Sequence, residues 1–498
     1  AFFGSAIMEF ETRRLWQNMT GNQTIFPLRV YHPTKIEELA AIVSQAERDG
    51  VTVRAVGAHH SWSDAALTTG YVIETHGLTG VRDVDVALLK PGGDPGRLVS
   101  VRGGTRLQDV NPALADRKLA LENMGGYDAQ TIAGVMATAT HGSGIALGPI
   151  VDQVRSLDLV VSGGRMVRIE PSGGITDPER FKAARPDWSL EQDSDVFDAA
   201  RVSVGCFGIV DSVVLEAVPA YWLNEVRVLR PWSEVRADLE SGVLDRHRHY
   251  EVYFNPHPTL PNGGHQCIVT TRDPTGSPAG LPKDRRSRNW LVEVGGDSRL
   301  LAAIIRRVYR WWPQWTPRIV DLGLKGLPDK GYANVSYKVF NIGAANHLPA
   351  ISSEIGVPVD GRGTHLKAVD RVLAIAAKWR DEGRIYHSSP IALRFVRAST
   401  AHLAMMEGRN TMMIELILFH PTDGGPELLA AYEDALTPLG GRPHWGQVNY
   451  VSATEAELTR MYPKYPRWKA IHARFNQSGV FNSPFTKRVG LTETAAIP

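Results

Sequence analysis

A chain of 498 residues is longer than one hydrophobic core ordinarily spans, which points to two domains sharing an interface. Its 43% hydrophobic and 22% charged residues are ordinary for a globular protein, and a net charge of +2 offers no basic stripe for nucleic acid. No apolar run reaches the roughly 18 residues of a membrane span, and the only cysteines, Cys206 and Cys267, make neither a zinc site nor a disulfide framework. That cysteine usage favours a reducing compartment, and so the cytoplasm over secretion.

From Phe26 to about Val218, short β-type runs alternate with helix-type runs, as in an α/β or α+β domain. Residues 1–8 read as a tag remnant or as the stub of a removed leader, and both stay open. The spacing of Ile36, Leu39, Ile42 and Val43 predicts a helix over 35–48, with Thr34 as its cap and Gly50 as its end. A strand over 51–56 then delivers Gly57-Ala-His-His-Ser to a tight turn. A second strand–helix unit covers 98–119, broken at Gly103-Gly104. Residues 157–161 and 165–169 read as a hairpin around Ser162-Gly-Gly. A strand follows over 210–218, closed by Pro219. Beyond Tyr221, long strands such as 412–419 mix with helices such as 365–380, which reads as a second domain facing the substrate. Residues 475–487, rich in Asn, Ser, Gly and Pro, are expected to return to the first domain. Asn18, Asn22, Asn334 and Asn476 open Asn-x-Ser/Thr triplets, a pattern frequent by chance.

Two constellations carry chemistry. In Arg54-Ala-Val-Gly-Ala-His-His-Ser-Trp-Ser-Asp64, Gly57 permits a sharp turn while His59, His60, Ser61 and Ser63 supply polar groups. Alone, this is as well read as a surface turn. In Asn123-Met-Gly-Gly-Tyr-Asp-Ala-Gln-Thr-Ile-Ala-Gly134 and Ala137-Thr-Ala-Thr-His-Gly-Ser-Gly144, small residues recur through some twenty positions. A backbone this bare can wrap a ligand and present N–H groups to a pyrophosphate. Neither a Walker loop nor a Gly-x-Gly-x-x-Gly fingerprint is present, which disfavours a Rossmann dehydrogenase.

Taken in order, these segments resemble the vanillyl-alcohol oxidase (PCMH-type) FAD-binding domain, and more narrowly its aldonolactone oxidase branch, with the gulonolactone, arabinonolactone and alditol oxidases. Ile132-Ala-Gly, Val204-Gly-Cys-Phe-Gly-Ile-Val210, Ile391-Ala-Leu-Arg-Phe-Val-Arg-Ala398, Gly441-Arg-Pro-His-Trp-Gly446 and Asn476-Gln-Ser-Gly-Val-Phe-Asn482 agree with it. The likeness covers about 26–220 and 335–490. It implies an α+β fold: a bipartite FAD domain from 1–220 plus a C-terminal return over 469–498, and a substrate domain over 221–468 with an antiparallel sheet flanked by helices.

The resemblance also implies roles. His60 stands where the family links its imidazole to the 8α-methyl of FAD, with His59 its neighbour. Arg54, Val56, Gly57, Ala58, Ser61, Gly125, Gly126, Thr131, Gly134, Thr138, Thr140, His141, Gly142, Ser143, Gly208, Val210 and Asn482 are the other expected cofactor contacts, and no metal is expected. Cys206 reads as a buried structural thiol. Gly125 matches the position that leaves room for oxygen, which favours an oxidase. Glu354 is expected to orient or deprotonate a carbinol hydroxyl while flavin N5 takes the hydride, Arg394 to stabilise charge, and His444 to match the Pro-His-Trp turn. Two departures stand out: Gln447 replaces a lysine, and Ile355-Gly356 lacks the basic residue of alditol oxidases. The expected reaction is oxidation of a sugar lactone or polyol by O2, giving hydrogen peroxide. A dehydrogenase with a cytochrome or quinone acceptor, an oxidase of a bulkier glycoside or sterol, and a non-catalytic carrier are the rivals. One segment is unmatched, Arg306-Arg-Val-Tyr-Arg-Trp-Trp-Pro-Gln-Trp315, whose basic and aromatic residues suit a membrane surface or a sugar; the expectation is a buried amphipathic helix end.

Overall fold

The computed structural model describes residues 9–277, 299–342, 350–419 and 422–492, with backbone alone over 299–302. Residues 1–8 lie outside the described residues.

The first part carries two sheets around a shared core. Strands β1 (Phe10–Glu11), β2 (Arg29–Tyr31), β3 (Val53–Val56) and β4 (Tyr71–Glu74) form a four-stranded sheet in the order β1-β2-β4-β3. Helix α1 (Ile36–Arg48) buries Ile36, Leu39, Ile42, Val43 and Ala46, the stripe its spacing dictates, and packs on the strands Val154–Val161 and Arg165–Glu170 of the second sheet. Thr34 does not cap α1: its N–H and hydroxyl donate to the Glu38 carboxylate, at 2.7 and 3.2 Å, and the cap position falls to Lys35, whose side chain caps nothing. The second sheet joins β5 (Val81–Asp83), β6 (Leu98–Arg102), β7 (Val154–Val161), β8 (Arg165–Glu170), β9 (Trp188–Gln192) and β10 (Ile209–Glu216) in the order β9-β8-β7-β10-β6-β5. The hairpin of β7 and β8 runs from Leu157↔Ile169 to Val161↔Arg165, as its alternation predicts. Pro219 does not close the region; it pairs with Leu119 in a small two-stranded sheet.

The second part is one antiparallel sheet of eight strands: β11 (Trp222–Pro231), β12 (His249–Phe254), β13 (Gln266–Thr275), β14 (Asp329–Val335), β15 (Ala350–Pro358), β16 (Ile391–Val396), β17 (Thr411–Phe419) and β18 (Arg442–Pro443), ordered β14-β11-β13-β12-β16-β17-β15-β18. Period-two alternation sorts its faces. Val252, Phe254, Leu393, Phe395, Met412, Ile414 and Leu416 turn to one side, where helices from Thr364–Gly383 and Gly425–Leu436 cover them. Glu251, Tyr253, Glu354, Arg394 and Glu415 turn to the other, toward the first part.

The C-terminal stretch packs back onto the first part. Val53 N–H donates to Val480 O at 2.8 Å, Arg54 reaches Phe481 O at 3.4 Å, and the Ser478 hydroxyl donates to Glu47 at 2.6 Å. The amides of Asn18, Asn334 and Asn476 are buried, so three of the four glycosylation triplets are closed in the folded chain.

The unmatched basic and aromatic segment is not the buried helix end expected. The helix Arg299–Trp311 sets Ile305 and Tyr309 on Phe419, but it stops at Trp311, and Trp312 leaves the helical region (φ −135°, ψ 60°) ahead of Pro313. Trp311, Trp312 and Trp315 are therefore 67%, 53% and 49% exposed.

Candidate active site and flavin groove

A groove of about 1210 Å³, its open mouth included, runs between the two parts. Its walls are backbone-rich: the turn after β3, the start of the short helix Ile132–Ala137 (α2), the loop 203–205 and the start of β10. Arg54, Val56, Gly57, Ala58, His59, His60 and Ser61 line it from the first wall, and Thr131, Gly134, Thr138, Thr140, Gly208 and Val210 from the others. Gly57 is required there by space: a Cβ would stand 2.2 Å from Thr131 Oγ1, the oxygen that caps α2 by accepting from Gly134 N–H. Gly208 is required twice over, by φ +145° and by Val160 O at 2.5 Å.

The turn after β3 is tied to the His-Trp turn of the second part. Trp62 N–H and the Ser61 hydroxyl donate to Gly446 O at 2.9 and 3.0 Å, and the Ser63 hydroxyl to Trp445 O at 2.7 Å. His60 sits on this clamped turn, and among the described residues nothing hydrogen-bonds its ring. Burial first, then Arg106 and His59, depress its basicity, so the imidazole is neutral and free to bond. His59 is held differently. It takes the left-handed region (φ +60°), packs its ring 5.2 Å from Trp16, and lies 4.0 Å from Glu74.

Gly125, Gly126, His141, Gly142, Ser143 and Asn482 do not line the groove. Ser143 is a tie between parts, donating to Tyr250 O and accepting from Phe395 N–H. Asn482 accepts from Asn476. Gly126 holds Ile342 N–H at 3.0 Å. Arg54, though on the wall, spends its guanidinium on Ala65, Val204 and Phe481 carbonyls. Cys206 lies off the groove, buried, with its thiol on Ser203 O and pushed up to about 12 by burial.

Behind His444, which lines the groove, stands a buried charge cluster. Arg394 Nε contacts Glu251 at 2.8 Å, Nη1 contacts Glu415 at 2.6 Å and Glu354 at 3.4 Å, and Nη2 donates to the Tyr253 hydroxyl at 3.1 Å. Strand register explains the gathering: Glu354 pairs with Glu415, and Glu251 with Arg394. Arg272 bridges Glu251 and Glu225, and Arg227 adds to Glu225. Four carboxylates thus face three guanidiniums, and the surplus negative charge needs a partner.

His141 supplies it. Its Nδ1 lies 2.8 Å from Gly142 O, which only accepts, so Nδ1 carries a proton; its Nε2 faces Glu354 Oε1 at 3.4 Å. His444 is wired the other way. Its Nδ1 accepts from Gly446 N–H at 3.0 Å, which puts its proton on Nε2, and burial brings its pKa down to about 4. Burial pushes the Glu354 carboxyl up, but His141, His444 and Arg394 overrule it and hold the group well below the usual carboxylate range. Glu415 goes the opposite way: burial raises it, the neighbouring Glu354 and Glu251 add to this, and Arg394 opposes.

Sequence reasoning missed Glu251, Tyr253, Glu415 and Tyr127, whose hydroxyl senses Glu415 and Arg394. A single charge inside an otherwise apolar strand, as in Met412-Met-Ile-Glu-Leu-Ile-Leu-Phe419, was the available signal.

Residues 213–489 match the family D-arabinono-1,4-lactone oxidase, and 27–170 match an FAD binding domain. The chain belongs to the D-arabinono-1,4-lactone oxidase family. It is an FAD-dependent oxidoreductase. The family match runs through 221–334, the stretch whose motifs gave no likeness. The chain is 30% identical to an L-gulono-1,4-lactone dehydrogenase of Mycobacterium tuberculosis over 95% of this chain and 99% of that one. It is 25% identical to an L-gulonolactone oxidase of Bos taurus, over 95% and 98%. Cholesterol oxidase from B. sterolicum shares the fold, with a TM-score of 0.76 at 14% identity over 97% of both chains.

Both departures from the family's relatives have a physical setting. Gly356 leaves no room for a basic side chain, since a Cβ would meet Met413 Sδ at 2.7 Å and Thr411 Cγ2 at 2.8 Å. Gln447 lines the groove with a buried Oε1 that has no donor in the described chain. That orphaned acceptor, the glycine-walled cleft and the unbonded His60 together fit a flavin.

Proposed function

We propose that the chain oxidises a secondary alcohol of an aldonolactone, with FAD linked through His60 and O2 as acceptor. The observation that carries this reading is the cluster of Glu354, Arg394 and Glu415 behind His444, which lines the same groove as a neutral His60. Bound FAD supplies the two-electron acceptor that takes hydride from the carbinol carbon. Arg394, cationic in a water-poor pocket, stabilises the charge that develops on the substrate and has one Nη2 hydrogen left to donate to it. Glu354, kept ionised by His141, His444 and Arg394, accepts the hydrogen bond of the reacting hydroxyl and so orients it. It is too weak a base to keep the proton. Glu415, with its raised affinity and greater access to the cavity (14% against 5% exposed), receives it. The crowded Gly356 favours a lactone over an open-chain polyol, because the second cation of alditol binding has no place.

A relative 30% identical is named a dehydrogenase, so the electron acceptor is the point to test beside the substrate. Anaerobic addition of gulono- or arabinono-1,4-lactone should bleach the flavin, and admitting air should restore it with one peroxide per turnover. Bleaching by neither lactone would overturn the substrate. Bleaching with recovery only on adding a cytochrome or quinone would make the chain a dehydrogenase.

The domain division expected from sequence, 1–220 and 469–498 against 221–468, is proposed as the unit structure of this enzyme, supported by the ties of residues 478–481 to Glu47, Val53 and Arg54.

A further inference from the structure

Two groups of histidine and carboxylate side chains among the described residues bring three ligand atoms within 4.8 Å of one another. One is the His141, Glu354 and His444 cluster of the active site. The other, His32, Glu74 and His76, has no part in the proposed reaction. It is assembled by strand register: Tyr31 and Ile73 pair in parallel, so His32 leaves β2 beside Glu74 at the end of β4, and the turn after β4 brings His76 round.

The wiring of His32 is informative. Its Nε2 lies 2.7 Å from Glu11 Oε1, an acceptor, so Nε2 carries the ring's proton. Nδ1 therefore presents a lone pair. It is buried, has no hydrogen-bond partner, and faces Glu74 Oε2 at 3.4 Å. His76 Nδ1 approaches the same oxygen at 3.7 Å. A second proton on His32 would satisfy one of these approaches; a metal ion satisfies both. With metal–ligand distances of about 2.0–2.2 Å, two ligands on one tetrahedral zinc stand roughly 3.3–3.5 Å apart, close to the observed separations. A carboxylate on the far nitrogen of a ligating histidine is also the arrangement that orients such ligands. Arg14 competes, at 3.0 Å from Glu11 and 3.3 Å from Glu74, but two carboxylates against one guanidinium leave a charge of −1 for a cation to meet.

We propose that His32, Glu74 and His76 bind a zinc ion, with Glu11 holding His32 and water in the remaining position. The site joins the N-terminal strand β1 to β2 and β4, so zinc adds to the stability of this edge of the flavin-binding part.

The test is zinc binding by the holoenzyme, measured by competition with a chromophoric chelator and by thermal midpoint, with Zn²⁺ alone as probe. The expected result is one zinc per chain and a raised midpoint. His76→Gln, at a side chain 66% exposed and so safe for folding, and His32→Ala should each weaken binding at least tenfold; Glu11→Gln should weaken it by about tenfold. Flavin absorbance should be unchanged in all three. Failure to bind stoichiometric zinc overturns the proposal, as does zinc retained by the His32→Ala/His76→Gln double variant. Zinc lost with His444→Ala instead would place the ion in the buried cluster and overturn it equally.

Discussion

Glu354 and Glu415 stand opposite each other on paired strands, share Arg394, and are driven apart in acidity by what else surrounds them. Such a pair titrates as a unit, and its members take different tasks. If Glu415 takes the hydroxyl proton, it must be ionised to act, so kcat/KM falls as pH drops through its raised pKa and is full above it. Glu415→Gln should lower kcat by about 10²–10⁴-fold and flatten that acid limb. Glu354→Gln should raise KM and, by removing a charge that raises Glu415, move the limb to lower pH; an unchanged limb in Glu415→Gln would move the base elsewhere. The sequence made Glu354, Arg394 and His444 visible because short motifs flank them. Glu251 and Glu415 were hidden because their meeting depends on strand register, which no local pattern specifies. His141 was expected at the cofactor; its ring turns instead toward Glu354, because Nδ1 is fixed on Gly142 O.

Elements that form from local spacing were the legible ones. The stripe of α1, the hairpin at Ser162-Gly-Gly and the alternation of β17 all follow from residues within a few positions of one another. Thr34 failed as a cap because the helix begins one residue later, at Ile36, which puts Lys35 in the cap position, and the Trp311–Trp315 segment failed as a buried end because Pro313 ends the helix before its stripe is complete. The turn after β3 should be intolerant of bulk: Gly57→Ala drives Thr131 off α2, with a loss of about 1 kcal/mol from the cap alone, read as a lower thermal midpoint and weaker flavin retention. The helix Gly425–Leu436 carries a second pH effect. Glu433 is buried, accepts Tyr450 N–H at 3.0 Å, and has its pKa raised by burial to about 7. The native chain therefore binds more protons than the unfolded one between about pH 4.5 and 7, so stability falls as pH rises through that window. Glu433→Gln should match the wild type near pH 4.5 and exceed it at pH 8, by order 1–3 kcal/mol in chemical denaturation. An equal difference at both pH values would contradict the buried, protonated acid.

At the scale of the molecule, the groove lies where the two parts meet, and the closing contacts come from residues far apart in sequence. Removing the chain from residue 476 onward strips the partners of Val53, Arg54 and Glu47. Such a truncation is expected to leave no soluble flavoprotein, read as loss of yellow protein from the soluble fraction. The order of motifs disclosed the family and the two-part plan, and the turn after β3, the start of α2 and the start of β10 mark walls of the groove. The face-to-face placement of groove and charge cluster became visible only once the eight-stranded sheet was assembled. The central claim is that His60, neutral and unbonded on a clamped turn, carries the flavin. Peptide mass spectrometry of the denatured, digested protein tests it most directly: the account predicts one FAD on the His60 side chain, and a bare His60 peptide, or flavin on His59, would contradict it.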